Sequence, residues 1–199
     1  MVIKNIVFDI GNVLLNYHPH DYLMGRYGRE DADFLFNAIF NTKEWIGLDR
    51  GSITEKEALE IFIHKSPDKE SILREAMDDF YNVFTPIKTS VAALYPLKEQ
   101  GYRLLYLSNI HIGIYEHVME KYDFFGKFEG GIISADVKTL KPGKEIFHRL
   151  IDKFNLKPEE SLFIDDTEPN TKTAEELGFA VIHLQNPGEL TGELHKLGI

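Results

Sequence analysis

Short, unbroken apolar runs recur along this chain, and several end abruptly on polar residues. VIKNIVF (2–8) stops at Asp9, and YRLLYLSN (102–109) runs apolar and then polar. GGIISAD (130–136) and SLFIDD (161–166) repeat the pattern, and FAVIHL (179–184) is a fifth apolar run. Near-continuous rather than alternating apolarity marks strands covered on both faces, as in parallel sheets. Between the runs, helical patterns occupy roughly 87–100, 113–122, 143–154 and 169–177. Gly101 and Gly178 stand where a helix terminus favours a left-handed residue. This strand–helix alternation predicts right-handed βαβ units, and so an α/β fold built on a doubly wound parallel sheet.

Residues 17–85 break the alternation. REDADFLFNAIF (29–40), TEKEALEIFIHK (54–65) and PDKESILREAMDDFYNVF (67–84) have helical spacing, with no strand between them. Thr54 followed by Glu57 is a capping-box signature, and Pro67 after Ser66 suits a helix start. The expected organisation is an α/β core of residues 1–16 and 86–199, with a helical insertion at 17–85 after the first strand. A chain of 199 residues is long enough for one core plus an insertion, but short for two independent domains.

Composition removes several function classes. The net charge is −10 with no block of basic residues, so the chain lacks the positive surface that nucleic-acid binding needs. The chain has no cysteine, which rules out disulfides, thiolate metal sites and a cysteine nucleophile, and suits a cytoplasmic protein. The N-terminal apolar stretch is interrupted by Asp9, too early for a signal peptide or a membrane span.

In open α/β sheets, ligands bind beyond the carboxyl ends of the strands. The polar residues at those ends are Asp9, the pair Ser108 and Asn109, and the pair Asp165 and Asp166; Lys141 lies in the loop KTLKPGKEIF (138–147). Each alone reads as turn or helix-cap composition. Together on one rim they supply carboxylates for a hard divalent cation, a hydroxyl and an amide for oxygens, and an ammonium for anionic charge. That inventory suits phosphoryl transfer, where catalysis is mostly positioning and charge neutralisation.

The order and spacing of these residues resemble the haloacid dehalogenase superfamily over essentially the whole chain. The resemblance implies a Rossmann-like core, with the insertion as a mobile helical cap. It further implies a magnesium-dependent phosphatase acting on a small phosphorylated metabolite. Asp9 would be the nucleophile, forming an aspartyl-phosphate that water then hydrolyses. Magnesium would be held by Asp9, the Gly11 carbonyl and Asp166, with Asp165 and Asn170 in support and Asn170 positioned to hold a metal-bound water. Ser108, Asn109 and Lys141 would hold the transferred phosphoryl oxygens.

Gly11 departs from the usual pattern of the superfamily, which places a general acid there; such a group is worth roughly two to four powers of ten in rate. The phrase DIGNVL (9–14) resembles a bacterial subset of sugar-phosphate phosphatases, including α-glucose-1-phosphate phosphatases, and DRGSIT (49–54) looks like their cap loop. An anomeric oxygen leaves more readily than an ordinary alkoxide, so sugar 1-phosphates are the expected favoured substrates. The rival readings are a 2-haloacid dehalogenase and a non-catalytic protein that retains the fold. His18 and His20, in NYHPHDY (16–22), are candidates to replace the missing acid, with solvated loop histidines as the plainer reading. His111 is a candidate substrate contact or a plain helix-start residue, and Trp45 is expected to pack rather than bind.

Overall fold

The computed structural model describes residues 2–199. Its strands are β1 (Asn5–Phe8), β2 (Leu15–Asn16), β3 (Thr85–Pro86), β4 (Arg103–Ser108), β5 (Gly130–Ile133), β6 (Ser161–Asp165) and β7 (Ala180–His183). Five of them form one parallel sheet in the order β5-β4-β1-β6-β7. Phe8 lies beside Tyr106 on one side and Ile164 on the other, so β1 is the central strand. Ile6, Phe8, Leu104, Tyr106, Leu162 and Ile164 belong to one apolar core, and Val7, Leu105, Leu107 and Phe163 to a second. Alternate residues therefore enter opposite cores, which is why these strands read as unbroken apolar runs.

The insertion contributes α1 (Pro19–Tyr27), α2 (Arg29–Leu35), α3 (Lys43–Asp49), α4 (Glu55–Lys65) and α5 (Glu70–Asp79). The rest of the chain forms α6 (Lys88–Glu99), α7 (Ile112–Lys121), α8 (Ser134–Val137), α9 (Lys144–Phe154), α10 (Glu168–Glu176) and α11 (Leu190–Lys196). Helices α6, α7 and α11 cover the first face of the sheet; α9 and α10 cover the second. Gly101 and Gly178 are left-handed, at φ of 89° and 95°. The Thr54–Glu57 capping box is fully formed, with Glu57 N donating to Thr54 Oγ1 and Thr54 N to Glu57 Oε2.

Several elements differ from the sequence reading. The run at 130–136 is a strand only to Ile133; Ser134 then opens a single helical turn. The Ser134 hydroxyl accepts from Ile110 N and donates to the Asp49 carbonyl, contacts that turn the chain away from the sheet. Helices α1, α3 and α11 lack a clear sequence signature, because each is short and contains a glycine. The 29–40 segment changes to a π-helical stretch at Phe36–Phe40.

Strands β2 and β3 pair antiparallel, so the insertion leaves and rejoins the sheet domain at adjacent points. Leu23, Leu35, Ile39, Phe62, Leu73 and Phe80 of the insertion share one apolar core with Ile6, Phe8 and Ile114. The insertion is thus packed onto the sheet domain as part of the same core.

Candidate active site

The carboxyl ends of β1, β4 and β6 meet the loop that precedes α9, and that convergence assembles the site. Asp9, Ser108 and Lys141 are buried, and Asp165 is fully buried. Lys141 Nζ lies 2.9 Å from Asp9 Oδ1 and 2.7 Å from Asp165 Oδ2, and donates to the Leu107 carbonyl at 2.9 Å. Burial disfavours the ammonium, but the Asp9 and Asp165 carboxylates outweigh it and hold the Lys141 pKa above the ordinary lysine value. Burial pushes the Asp9 carboxyl up to about 7; Asp165 adds to the rise, and Lys141 opposes it.

The Asn109 amide is engaged with the main chain of Lys141. It donates to the carbonyl at 2.9 Å and accepts from the amide N–H at 2.8 Å. This reciprocal pair fixes the lysine, a task different from the phosphoryl contact expected of Asn109, and leaves the second Nδ2 hydrogen as its remaining donor.

Asp9, Asp165 and Asp166 each offer a carboxylate oxygen within 4.8 Å of the others, against one ammonium. Around an octahedral magnesium with ligands at about 2.1 Å, neighbouring ligand oxygens sit roughly 3 Å apart and opposite ones roughly 4 Å. The chemistry of this donor set, carboxylate oxygens converging at the strand ends, fits such an ion. The two adjacent aspartates are not equivalent. Asp165 accepts from Thr167 N, Lys141 Nζ and, on both oxygens, Asn170 Nδ2. Asp166 is half-buried, lines the cavity, and has only longer contacts, from Asn12 Nδ2 at 3.2 Å and Thr167 Oγ1 at 3.3 Å. Asp166 is therefore the carboxylate with free lone pairs. Asn170 directs its nitrogen to both oxygens of Asp165 and lines the cavity.

Asn12 escaped the sequence reading. It adopts a left-handed conformation at φ 52°, accepts from Tyr17 N at 2.9 Å and donates to Asp166, so it ties the turn after β1 to the end of β6. Asn is among the few residues that tolerate this backbone, and the Gly-Asn dipeptide was its one sequence signal. Gly11 lines the cavity through its main chain. A Cβ built there meets only the Tyr17 Cβ, at 3.9 Å, so crowding does not enforce the glycine.

The cavity, about 220 Å³, has a second wall supplied by Tyr17, Trp45, Asp49 and Phe84 from the insertion and its ends. Trp45 both packs, against Phe40 and Phe80, and borders the cavity. His111 is buried with Nε2 3.0 Å from Glu55 Oε1 and Nδ1 3.5 Å from Asp49 Oδ1, linking the sheet domain to the insertion. His18 and His20 are not on the cavity wall. His20 pairs with Asp33 at 2.7 Å on the surface, and His18 borders an adjoining cleft that shares Asn12 and Asp166 with the cavity.

A parallel α/β sheet with carboxylates at its strand ends, a buried lysine in an adjacent loop and a helical insertion after the first strand is the architecture of a hydrolase class. The chain belongs to the haloacid dehalogenase-like hydrolase family, which it matches over residues 3–178. It is 24% identical over 204 residues to a D-ribitol-5-phosphate phosphatase of Bacteroides thetaiotaomicron, covering 97% of each chain. A sesquiterpene phosphatase of Aspergillus oryzae is 22% identical over 194 residues, covering 98% of this chain and 96% of that protein. A haloacid dehalogenase family enzyme of Bacteroides thetaiotaomicron, solved as its magnesium complex, superposes with a TM-score of 0.76 at 25% identity, covering 98% of this chain and 100% of that one. Its wild-type complex with magnesium and inorganic phosphate gives 0.72, also at 25% identity, covering 90% and 93%.

Proposed function

We propose that this hydrolase is a magnesium-dependent phosphatase of small phosphomonoesters, sugar phosphates foremost. The observation that carries the reading is the buried Lys141, bridging Asp9 and Asp165 beside the open carboxylate of Asp166. Asp9 is the nucleophile. It attacks phosphorus in line, and water releases phosphate from the resulting aspartyl-phosphate. Ser108 and Lys141 hold phosphoryl oxygens, with Asn109 positioning Lys141. Asp9, the Gly11 carbonyl and Asp166 would hold magnesium, with Asp165 and Asn170 behind them; the ion supplies charge neutralisation for the phosphoryl group. Relatives that act on D-ribitol 5-phosphate and sesquiterpene phosphates, and a structural neighbour that binds magnesium and phosphate, support it.

Sugar 1-phosphates are the favoured class within this reading, because Gly11 offers the leaving oxygen no proton and an anomeric oxygen carries charge best. Halide displacement has no use for three converging carboxylates, so dehalogenation is disfavoured. The cysteine-free composition supports a cytoplasmic setting. The test is phosphate release from a panel of phosphorylated metabolites with magnesium present. Sugar 1-phosphates should turn over faster than 6-phosphates, and a panel without turnover would overturn the reading.

A further inference from the structure

We propose that Asp49, carried by the insertion, is the general acid and base that position 11 lacks; the proposal rests on the phosphatase reading above. Asp49 ends α3 and lines the same cavity as Asp9, Ser108 and Lys141. Its side chain is one-fifth exposed, while that of Asp9 is 11% exposed, and the cavity is the space they share. Among the described residues, its carboxylate has no hydrogen-bond or ion-pair partner other than His111, at 3.5 Å, so one oxygen is left for a ligand.

The position of Asp49 is built, not incidental. The Ser134 hydroxyl donates to its carbonyl, which anchors the end of α3 to the sheet domain. Two residues on, Gly51 has φ +66°, and a Cβ there would lie 2.4 Å from the Ala135 carbonyl oxygen. Only glycine permits that approach, and Lys138 Nζ donates to the Gly51 carbonyl across the same seam. The turn that presents Asp49 is therefore held against the sheet domain from both sides.

The protonation chemistry agrees with the geometry. Burial raises the Asp49 carboxyl above the ordinary carboxylate value, with His111 opposing. Tyr17 borders the same cavity, but burial pushes its hydroxyl much further from ionisation, so it is poorly suited to take a proton from water. The groups facing Asp49 are His111 from the start of α7 and Tyr17 after β2, with Glu55 on the far side of His111.

In the first step, an Asp9 oxygen bonds to phosphorus as the ester P–O bond breaks. The leaving oxygen keeps the bonding pair and takes the proton from Asp49, giving alcohol, aspartyl-phosphate and the Asp49 carboxylate. In the second, water attacks phosphorus and gives one proton to Asp49, while the Asp9–P bond breaks and its pair returns to Asp9. Phosphate leaves, and both aspartates are restored. A proton from Asp49 makes the handicap of 6-phosphates smaller than Gly11 alone implies, without reversing the order.

The test is a leaving-group series of aryl and alkyl phosphates, run with magnesium on the wild-type protein and on Asp49→Asn. In the wild type, kcat/KM should depend weakly on leaving-group pKa. In Asp49→Asn the dependence should be steep, with the alkyl phosphates losing roughly a hundredfold or more. With p-nitrophenyl phosphate, that variant should show a nitrophenolate burst followed by a slowed steady state, because the phosphoenzyme lacks its base. Asp49→Glu should recover part of the alkyl activity. A steep wild-type dependence, an equal loss across the series, or a rise in KM with kcat unchanged would overturn the role of Asp49. The wild-type series alone decides the matter if the variant does not fold. A wild type inactive on the whole series, or an active Asp9→Asn, would instead overturn the phosphatase reading.

Discussion

At the scale of single residues, charge placement decides what each aspartate does. Asp9→Asn is expected to cut phosphate release by more than about a hundredfold, because a neutral amide cannot attack phosphorus. Its melting temperature should hold, since burial already disfavours the Asp9 carboxylate and the amide oxygen still accepts from Lys141. Adjacent Asp165 and Asp166 should behave differently. Asp165→Ala leaves the Lys141 ammonium buried with one partner fewer and strips Asn170 and Thr167 N of their acceptor. Breaking a buried pair costs about 3–5 kcal/mol, so this variant should melt well below the wild type. Asp166→Ala removes a half-exposed carboxylate with two long contacts and should melt nearly normally while needing far more magnesium for activity. Equal melting losses, or an unchanged magnesium requirement, would contradict this division.

At the scale of elements, the insertion is fastened to the start of α7 through His111, Asp49 and Glu55. Burial disfavours the imidazolium, but the two carboxylates outweigh it and raise the His111 pKa above 6.5. Stability from that raised group is fully present below 6.5 and is lost as pH rises through the folded value. His111 lowers the Glu55 pKa below 4.5, so that contribution is present above 4.5 and is lost as pH falls through the folded value. Asp49, raised by burial, works in the opposite direction at acid pH. Hydrogen exchange in residues 47–55 should therefore speed up as pH rises past neutrality, beyond its intrinsic pH dependence. His111→Asn should remove that extra acceleration; its persistence in the variant would place the latch elsewhere.

At the scale of the whole molecule, one apolar core joins the sheet domain and the insertion. Replacing residues 17–85 with a linker would uncover the Ile6–Phe8 face of the sheet, so single substitutions on the cavity wall are the cleaner probe of selectivity. The cation provides a global test. A ligand that binds only the folded protein stabilises it by about 2.7 kcal/mol at a hundred times its Kd. Saturating magnesium should raise the melting temperature of the wild type, and less that of Asp166→Ala. A chelator should abolish phosphate release, and added magnesium should restore it. Activity that survives chelation would refute the metal's role.

The local code of this chain determined most of its core elements and its rim. Apolar runs that end at Asp9, Ser108 and Asp165 placed three strand ends, and parallel sheets put such ends on one side. The capping box at Thr54 and the glycines at 101 and 178 were equally legible, because each satisfies backbone groups within a few residues. Only the tertiary structure decided which partner each polar group meets. Asn12 reaches Asp166 across 154 residues of sequence, and Asn109 reaches Lys141 across 32, where it clamps a main chain at the edge of the cavity. Asp49 opens the DRGSIT stretch, legible as a loop of the insertion, but only the fold places it on the cavity wall. Periodicity reports which face of an element is buried, not the element that buries it. Long-range pairs between side chains are therefore set by how the layers pack.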